Sequence, residues 1–143
     1  MQPAGWTILD HTADTGLEVR APTASSLFET AARGLFSLIT DPSTVAAREA
    51  RRIEVSGGDP GQLMVRWLSE ILYLHETEGL LFSRFEVHGL EGGRLRGTAW
   101  GEAFDAGRHA IRTALKAITF HQLEVGPDPS PEGGWRARVI VDV

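Results

Sequence analysis

Apolar residues recur along this chain with two different periods. Leu27, Phe28, Ala31, Ala32, Leu35, Phe36 and Ile39 follow one another at steps of one and three, which lines them up along one stripe of a helix. A hydroxyl at Thr23 or Ser25 suits the start of that helix, and Asp41-Pro42 stops it. A second, broader stripe is made by Leu63, Met64, Trp67, Leu68, Ile71, Leu72 and Leu74. It opens on Asp59-Pro60-Gly61-Gln62, a cap, a proline in the first turn and a glutamine three residues after the cap, and it ends at Gly79.

Elsewhere the period is two. Short alternating runs stand at residues 6–9, 17–20, 52–55, 81–88, 94–101 and 135–143, and a run rich in Ile, Thr, Phe and Val extends from Lys116 to Val125. Gly89 to Gly93 reads as a hairpin turn, residues 43–50 as a small polar loop, and Pro127 to Gly134 as a loop with three prolines and two glycines. Residues 105–115, with Arg108, His109 and Arg112, fit either a loop or a short helical turn. Strands outnumber helices and neighbours are linked by hairpins. The expectation is an α+β fold, a mostly antiparallel sheet with two main helices packed on one face, formed as a single domain over residues 1–143.

The stretch Asp10-His11-Thr12-Ala13-Asp14-Thr15-Gly16 lies between the first two strand-like runs. Two carboxylates and an imidazole facing a bend can bind a hard cation, act as acid and base, or hold the turn by hydrogen bonds to its own backbone. At the other end, Asp142 is followed by Val143, whose terminal carboxylate is a further anion in a defined place once the last strand is fixed.

Composition narrows these choices. The chain has 143 residues and no cysteine, so disulfides, zinc thiolates and thiol nucleophiles are excluded. The formal net charge of −5 disfavours non-specific binding of nucleic acid, and no direct sequence-specific nucleic-acid binding is expected. No apolar run is long enough for a membrane span, no signal peptide is read, and a cytoplasmic protein is expected. Thirteen of the fourteen basic residues are arginine, and Lys116 is the one lysine. A position that keeps lysine suits a compact point charge. There is no Gly-Lys-Ser/Thr phosphate loop and no Gly-x-Ser-x-Gly elbow, and the five histidines are scattered.

The chain resembles the archease family, small proteins that assist the RtcB-type RNA-splicing ligase. The resemblance runs through His11-Thr12-Ala13-Asp14, Leu27-Phe28-Glu29 with Gly34-Leu35-Phe36, Leu72-Tyr73-Leu74-His75-Glu76-Thr77-Glu78-Gly79, Gly101-Glu102, Lys116-Ala117-Ile118-Thr119-Phe120-His121 and Val141-Asp142-Val143. Asp10 stands where the family usually has Glu, and Phe120 where it often has Tyr. The resemblance implies a non-catalytic accessory protein that promotes guanylylation of the ligase and its multiple turnover in tRNA splicing, the ligase joining 2′,3′-cyclic or 3′-phosphate RNA ends to 5′-hydroxyl ends. It also implies a bound divalent metal, calcium with magnesium or manganese as alternatives, held by Asp14, Asp142 and the terminal Val143. Asp10, His11, Lys116 and His121 are supporting or partner-contacting candidates. Two other readings compete: a stand-alone metal-dependent phosphoesterase built on Asp10, His11 and Asp14, and a general chaperone.

Overall fold

A computed structural model describes residues 2–10 and 14–143, the side chains of Asp10 and Asp14 lying outside that description. Helix α1 spans Ala24–Ile39. Of the two hydroxyls considered for its cap, Thr23 is the one used: its Oγ1 accepts the Ser26 amide at 3.1 Å while Ser26 Oγ accepts the Thr23 amide. Helix α2 spans Pro60–Glu78. Asp59 accepts the Gln62 amide at 2.8 Å, and Gly79 closes the helix with φ 66°, a conformation that favours glycine.

The strands are β1 (Gly5–Asp10), β2 (Asp14–Ala21), β3 (Glu49–Ser56), β4 (Leu80–Glu91), β5 (Arg94–Ala103), β6 (Ala117–Ile118), β7 (Glu124–Pro127) and β8 (Trp135–Asp142). Every pairing is antiparallel, as expected, but the strands divide into two sheets. One has the order β1-β2-β8-β6 with β7 also on β8, and the other the order β3-β5-β4. Among the described residues no strand of one sheet pairs with a strand of the other. Each helix packs on strands of both and so joins them.

The alternation explains how each sheet has a dry face and a wet one. Leu17, Val19 and Ala21 of β2 meet Ala137, Val139 and Val141 of β8, all fully buried, while Arg20, Glu18 and Arg136 face outward. In the second sheet Leu95, Gly97, Ala99 and Gly101 of β5 lie inward and Arg94 and Arg96 are exposed. Trp67 of α2 is fully buried; its indole N–H donates to the Phe28 carbonyl of α1 at 2.9 Å and its ring lies against Gly97. Phe36 of α1 meets Phe82, Phe85 and His75 edge-on or tilted, with ring centroids 5.6 to 5.9 Å apart.

One expected element does not form. The run from Lys116 to Val125 is not one strand. Thr119 ends β6 by directing both its amide and its hydroxyl to the Ile140 carbonyl, at 3.0 and 2.9 Å. A turn follows, with Gln122 at φ 51°. Continued in the β6 register, His121 would face Arg138; Glu124 does so instead. The β-branched composition was a correct sign of pairing with β8, but the hydroxyl of Thr119 competes with the ladder and ejects the residues between. Residues 105–115 are irregular: a turn on the Asp105 carbonyl, then a tie from the Arg112 amide to the Ile39 carbonyl at the end of α1, 2.7 Å long.

The approach of β4 to β5 is close enough to test. A Cβ at Gly101 would stand 1.7 Å from the Leu81 carbonyl oxygen, whereas one at Gly126 meets nothing within 4 Å. Gly101→Ala is expected to destabilise the protein by about 3 kcal/mol or more, and Gly126→Ala by less than about 1 kcal/mol. Thermal or urea denaturation of the two variants side by side checks this; equal midpoints would contradict the packing described.

Candidate functional site

Four of the residues singled out in the sequence, Asp10, Asp14, Lys116 and Asp142, have their backbones at one corner of the five-stranded sheet. Antiparallel register sets Asp14 of β2 opposite Asp142 of β8, and Asp142 opposite Ala117 of β6. The Lys116 amide donates to the Asp142 carbonyl at 2.8 Å. Three strands thus bring the backbones of Asp14, Asp142 and Ala117 into one row, with Lys116 next to Ala117 just before β6. Asp142, Val143 and Lys116 are exposed. Asp10 pairs with Thr15, which in turn pairs with Val141, so its backbone stands one step along from that row. His11, with Thr12 and Ala13, lies outside the described residues.

His121 is set apart from this row. It lies on the turn between β6 and β7, its amide donating to Thr119 Oγ1 at 3.2 Å, and it is exposed. Its neighbour Phe120 is 61% exposed. Among the described residues His75, His88 and His109 have partners within the fold. His75 Nδ1 donates to the Leu80 carbonyl at 2.8 Å. His109 is buried within a second polar cluster that the sequence did not disclose.

That cluster is centred on Glu102, at the end of β5, buried although the strand alternation would turn it to solvent. The loop after α1 and the irregular segment after β5 close over it. Glu102 accepts two hydrogen bonds from the Arg108 guanidinium at 2.7 and 3.0 Å, and one from the Ala46 amide at 2.7 Å. It accepts a fourth from His109 Nε2 at 3.0 Å. The Asp105 amide donates to His109 Nδ1, which fixes the hydrogen on Nε2. The Arg108 fork is the largest cause, and the Ala46 amide the next, of a Glu102 pKa lowered to about 2. All four of these hydrogen bonds come from within the protein, three to Oε2 and one to Oε1. The cluster therefore acts as a latch between two loops rather than as a base. Gly101-Glu102 had stood out in the sequence, and Arg108 and His109 had been noticed nearby, but nothing in the linear order joined them to the Ala46 loop. Among the described residues no three side chains of metal-ligating type gather as a cluster.

The profile of the Archease protein family matches residues 6–143. A protein archease of Methanopyrus kandleri is 43% identical over 141 residues, covering 96% of this chain and 99% of that one. One of Methanothermobacter thermautotrophicus is 40% identical over 142 residues, covering 97% and 99%. The solution structure of Methanobacterium thermoautotrophicum protein 1598 superimposes with a TM-score of 0.83 at 38% identity, over 97% of this chain and 99% of that one. The chain belongs to the archease family.

The Glu102 latch has a pH signature. A carboxylate whose pKa is lowered by folding stabilises the folded state above its unfolded value, near 4.5, and loses that contribution as pH falls toward about 2. Glu102→Gln is expected to lower the melting temperature at neutral pH, and the gap from wild type is expected to narrow between pH 4.5 and 2. Scanning calorimetry of both proteins across that range checks it; a gap independent of pH would contradict the ionised latch.

Proposed function

We propose that this archease is an accessory factor of the RtcB-type RNA-splicing ligase, acting in the cytoplasm to promote guanylylation of the ligase and its repeated turnover. Family membership supports the reading, and the observation that carries it onto particular residues is the pairing of Asp14 with Asp142 across β2 and β8, with the Lys116 amide hydrogen-bonded to the Asp142 carbonyl. In this proposal the carboxylates of Asp14 and Asp142 and the terminal carboxylate of Val143 hold a divalent cation. The donor set fits: all three are hard oxygen donors, which suit calcium, and also magnesium or manganese, better than zinc. When bound, such a cation supplies positive charge toward a nucleotide phosphate.

The chain's own residues have the following parts. The register of β2 on β8 holds the two aspartates' backbones side by side, so neither has to be brought in from a mobile segment. Lys116 contributes a compact cation beside the row; the hydrogen bond from its amide to the Asp142 carbonyl fixes the backbone from which it projects. Asp10 and His11, near Asp14 in sequence, and His121, on the turn beyond β6, are proposed as contacts to the ligase. The protein works as an accessory rather than a catalyst in this reading. The carboxylate whose pKa is lowered to about 2, Glu102, is engaged by Arg108, Ala46 and His109, which fits a fastening role better than that of a base.

Two outcomes follow. Multiple-turnover ligation by a cognate ligase is expected to accelerate when the protein is added, and Lys116→Ala is expected to lose most of that acceleration with an unchanged melting temperature, as an exposed substitution should. A Lys116→Ala protein as effective as wild type would remove Lys116 from the site. Asp14→Ala, and separately a tag appended after Val143, are expected to weaken calcium binding in calorimetry, while a tag at the other end leaves it unchanged. Equal binding by all of these proteins would reject the ligand set.

A further inference from the structure

The outer face of the three-stranded sheet carries charge that the proposed site does not use. Five arginines lie on its strands: Arg51 and Arg52 on β3, Arg84 on β4, Arg94 and Arg96 on β5. Three of them have a glutamate. Arg51 pairs with Glu78 at 2.9 Å, Arg84 with Glu86 at 2.5 Å, and Arg94 with Glu54. Arg52 and Arg96 have no carboxylate and no side-chain hydrogen-bond partner among the described residues, and both are exposed.

These two border one depression of about 410 Å³, together with His88, Thr98 and Glu54. Its shape follows from the register. Arg52 stands opposite Thr98, and Arg96 stands between Glu54 on β3 and Gly89 on β4. Arg52 and Arg96 are thus diagonal neighbours on one face, about 7–8 Å apart at their roots. A register shift between Val87 and Gly89 inserts His88 as an extra residue, the way a bulge re-aims a side chain, and His88 Nε2 meets the Thr98 hydroxyl at 2.8 Å. Gly89 leaves room for the Arg96 guanidinium to lie across the strand: a Cβ there would stand 2.9 Å from Arg96 Nη2. The one carboxylate at the rim, Glu54, is already held by Arg94.

Two unneutralised guanidiniums on the same small surface repel each other, and an anion between them relieves that repulsion. Planar forks with several N–H donors match tetrahedral oxyanions, and a hydroxyl and an imidazole beside them add further polar contacts. We propose that this depression binds a phosphate group, through Arg52 and Arg96, with Thr98 and His88 at its side. A phosphate of that kind comes either from the backbone of an RNA chain or from a free nucleotide. The site is on the second sheet, is built from residues of β3, β4 and β5, and is independent of the Asp14–Asp142 row.

The test is binding of a fluorescein-labelled single-stranded oligouridylate by anisotropy, and of GMP and inorganic phosphate by calorimetry, to wild type, to Arg52→Gln/Arg96→Gln and to Arg84→Gln. The double variant is expected to lose about tenfold in affinity, and in the RNA case to flatten the log–log salt dependence by about 0.7, the share of one single-strand phosphate. Arg84→Gln, which removes an arginine already paired with Glu86, is expected to bind like wild type. Binding of the oligouridylate but not GMP identifies the polymer backbone as the source; binding of GMP or phosphate with the same dependence on the two arginines identifies a free ligand. Absence of binding by all three probes overturns the proposal, as does a double variant that binds like wild type. A polyglutamate peptide bound as tightly as the phosphate ligands, and lost in the same double variant, overturns it in favour of a surface for acidic protein segments.

Discussion

Trp67 is the side chain on which the architecture converges. It is the largest residue that the core hides completely, and it touches three elements at once: it sits on α2, donates to a carbonyl of α1, and lies flat over Gly97 of β5. The contact works only because β5 has glycine at that point, since a Cβ there would come within 2.9 Å of the ring. Because among the described residues the two sheets do not pair with each other, the helices are what joins them, and the indole is where the helices are locked together and to a strand. A buried aromatic with its one polar atom satisfied combines a large apolar contact with a fixed orientation.

The elements that the sequence disclosed are those whose signals are local. Both helices could be read because their apolar stripes, the Thr23 and Asp59 caps and the Gly79 terminator act within a few residues of one another. The first and last strands could be read from alternation. What could not be read depended on partners far away in the chain. Thr119 breaks the run that begins at Lys116 because the Ile140 carbonyl is there to accept its hydroxyl, a fact with no trace in the run itself. The division into two sheets depends on which strand lies beside which, and alternation is silent about that. Glu102 sits at an outward position by alternation and is buried only because two distant loops cover it.

The candidate site divides in the same way. Asp14, Asp142, Val143 and Lys116 came from a resemblance and from the chemistry of their side chains; the register sets the backbones of Asp14 and Asp142 opposite each other, and the Lys116 amide is hydrogen-bonded to Asp142. His121 had been grouped with Lys116 on one strand and belongs to a turn instead. The polar interior holds a different lesson. Glu102 and Asp128 both have lowered pKa values, Glu102 chiefly through Arg108 and Asp128 chiefly through the Ser130 amide, and both fasten loops. A perturbed carboxylate here marks structural fastening, whereas the exposed residues with few internal partners are the ones free for chemistry with other molecules.

Having a single lysine has a practical side. Lys116 is exposed and its backbone is tied to the last strand, so apart from the chain's amino end the folded protein offers one primary amine, at a known and rigid place. Amine-directed reagents therefore address this protein with site selectivity that most proteins attain only after mutagenesis. A crosslinker anchored there probes whatever lies against the Asp142 corner, and a surface coupled there displays the opposite side of the molecule in one orientation. Replacing arginines by lysines elsewhere would leave the charge as it is and abolish that selectivity.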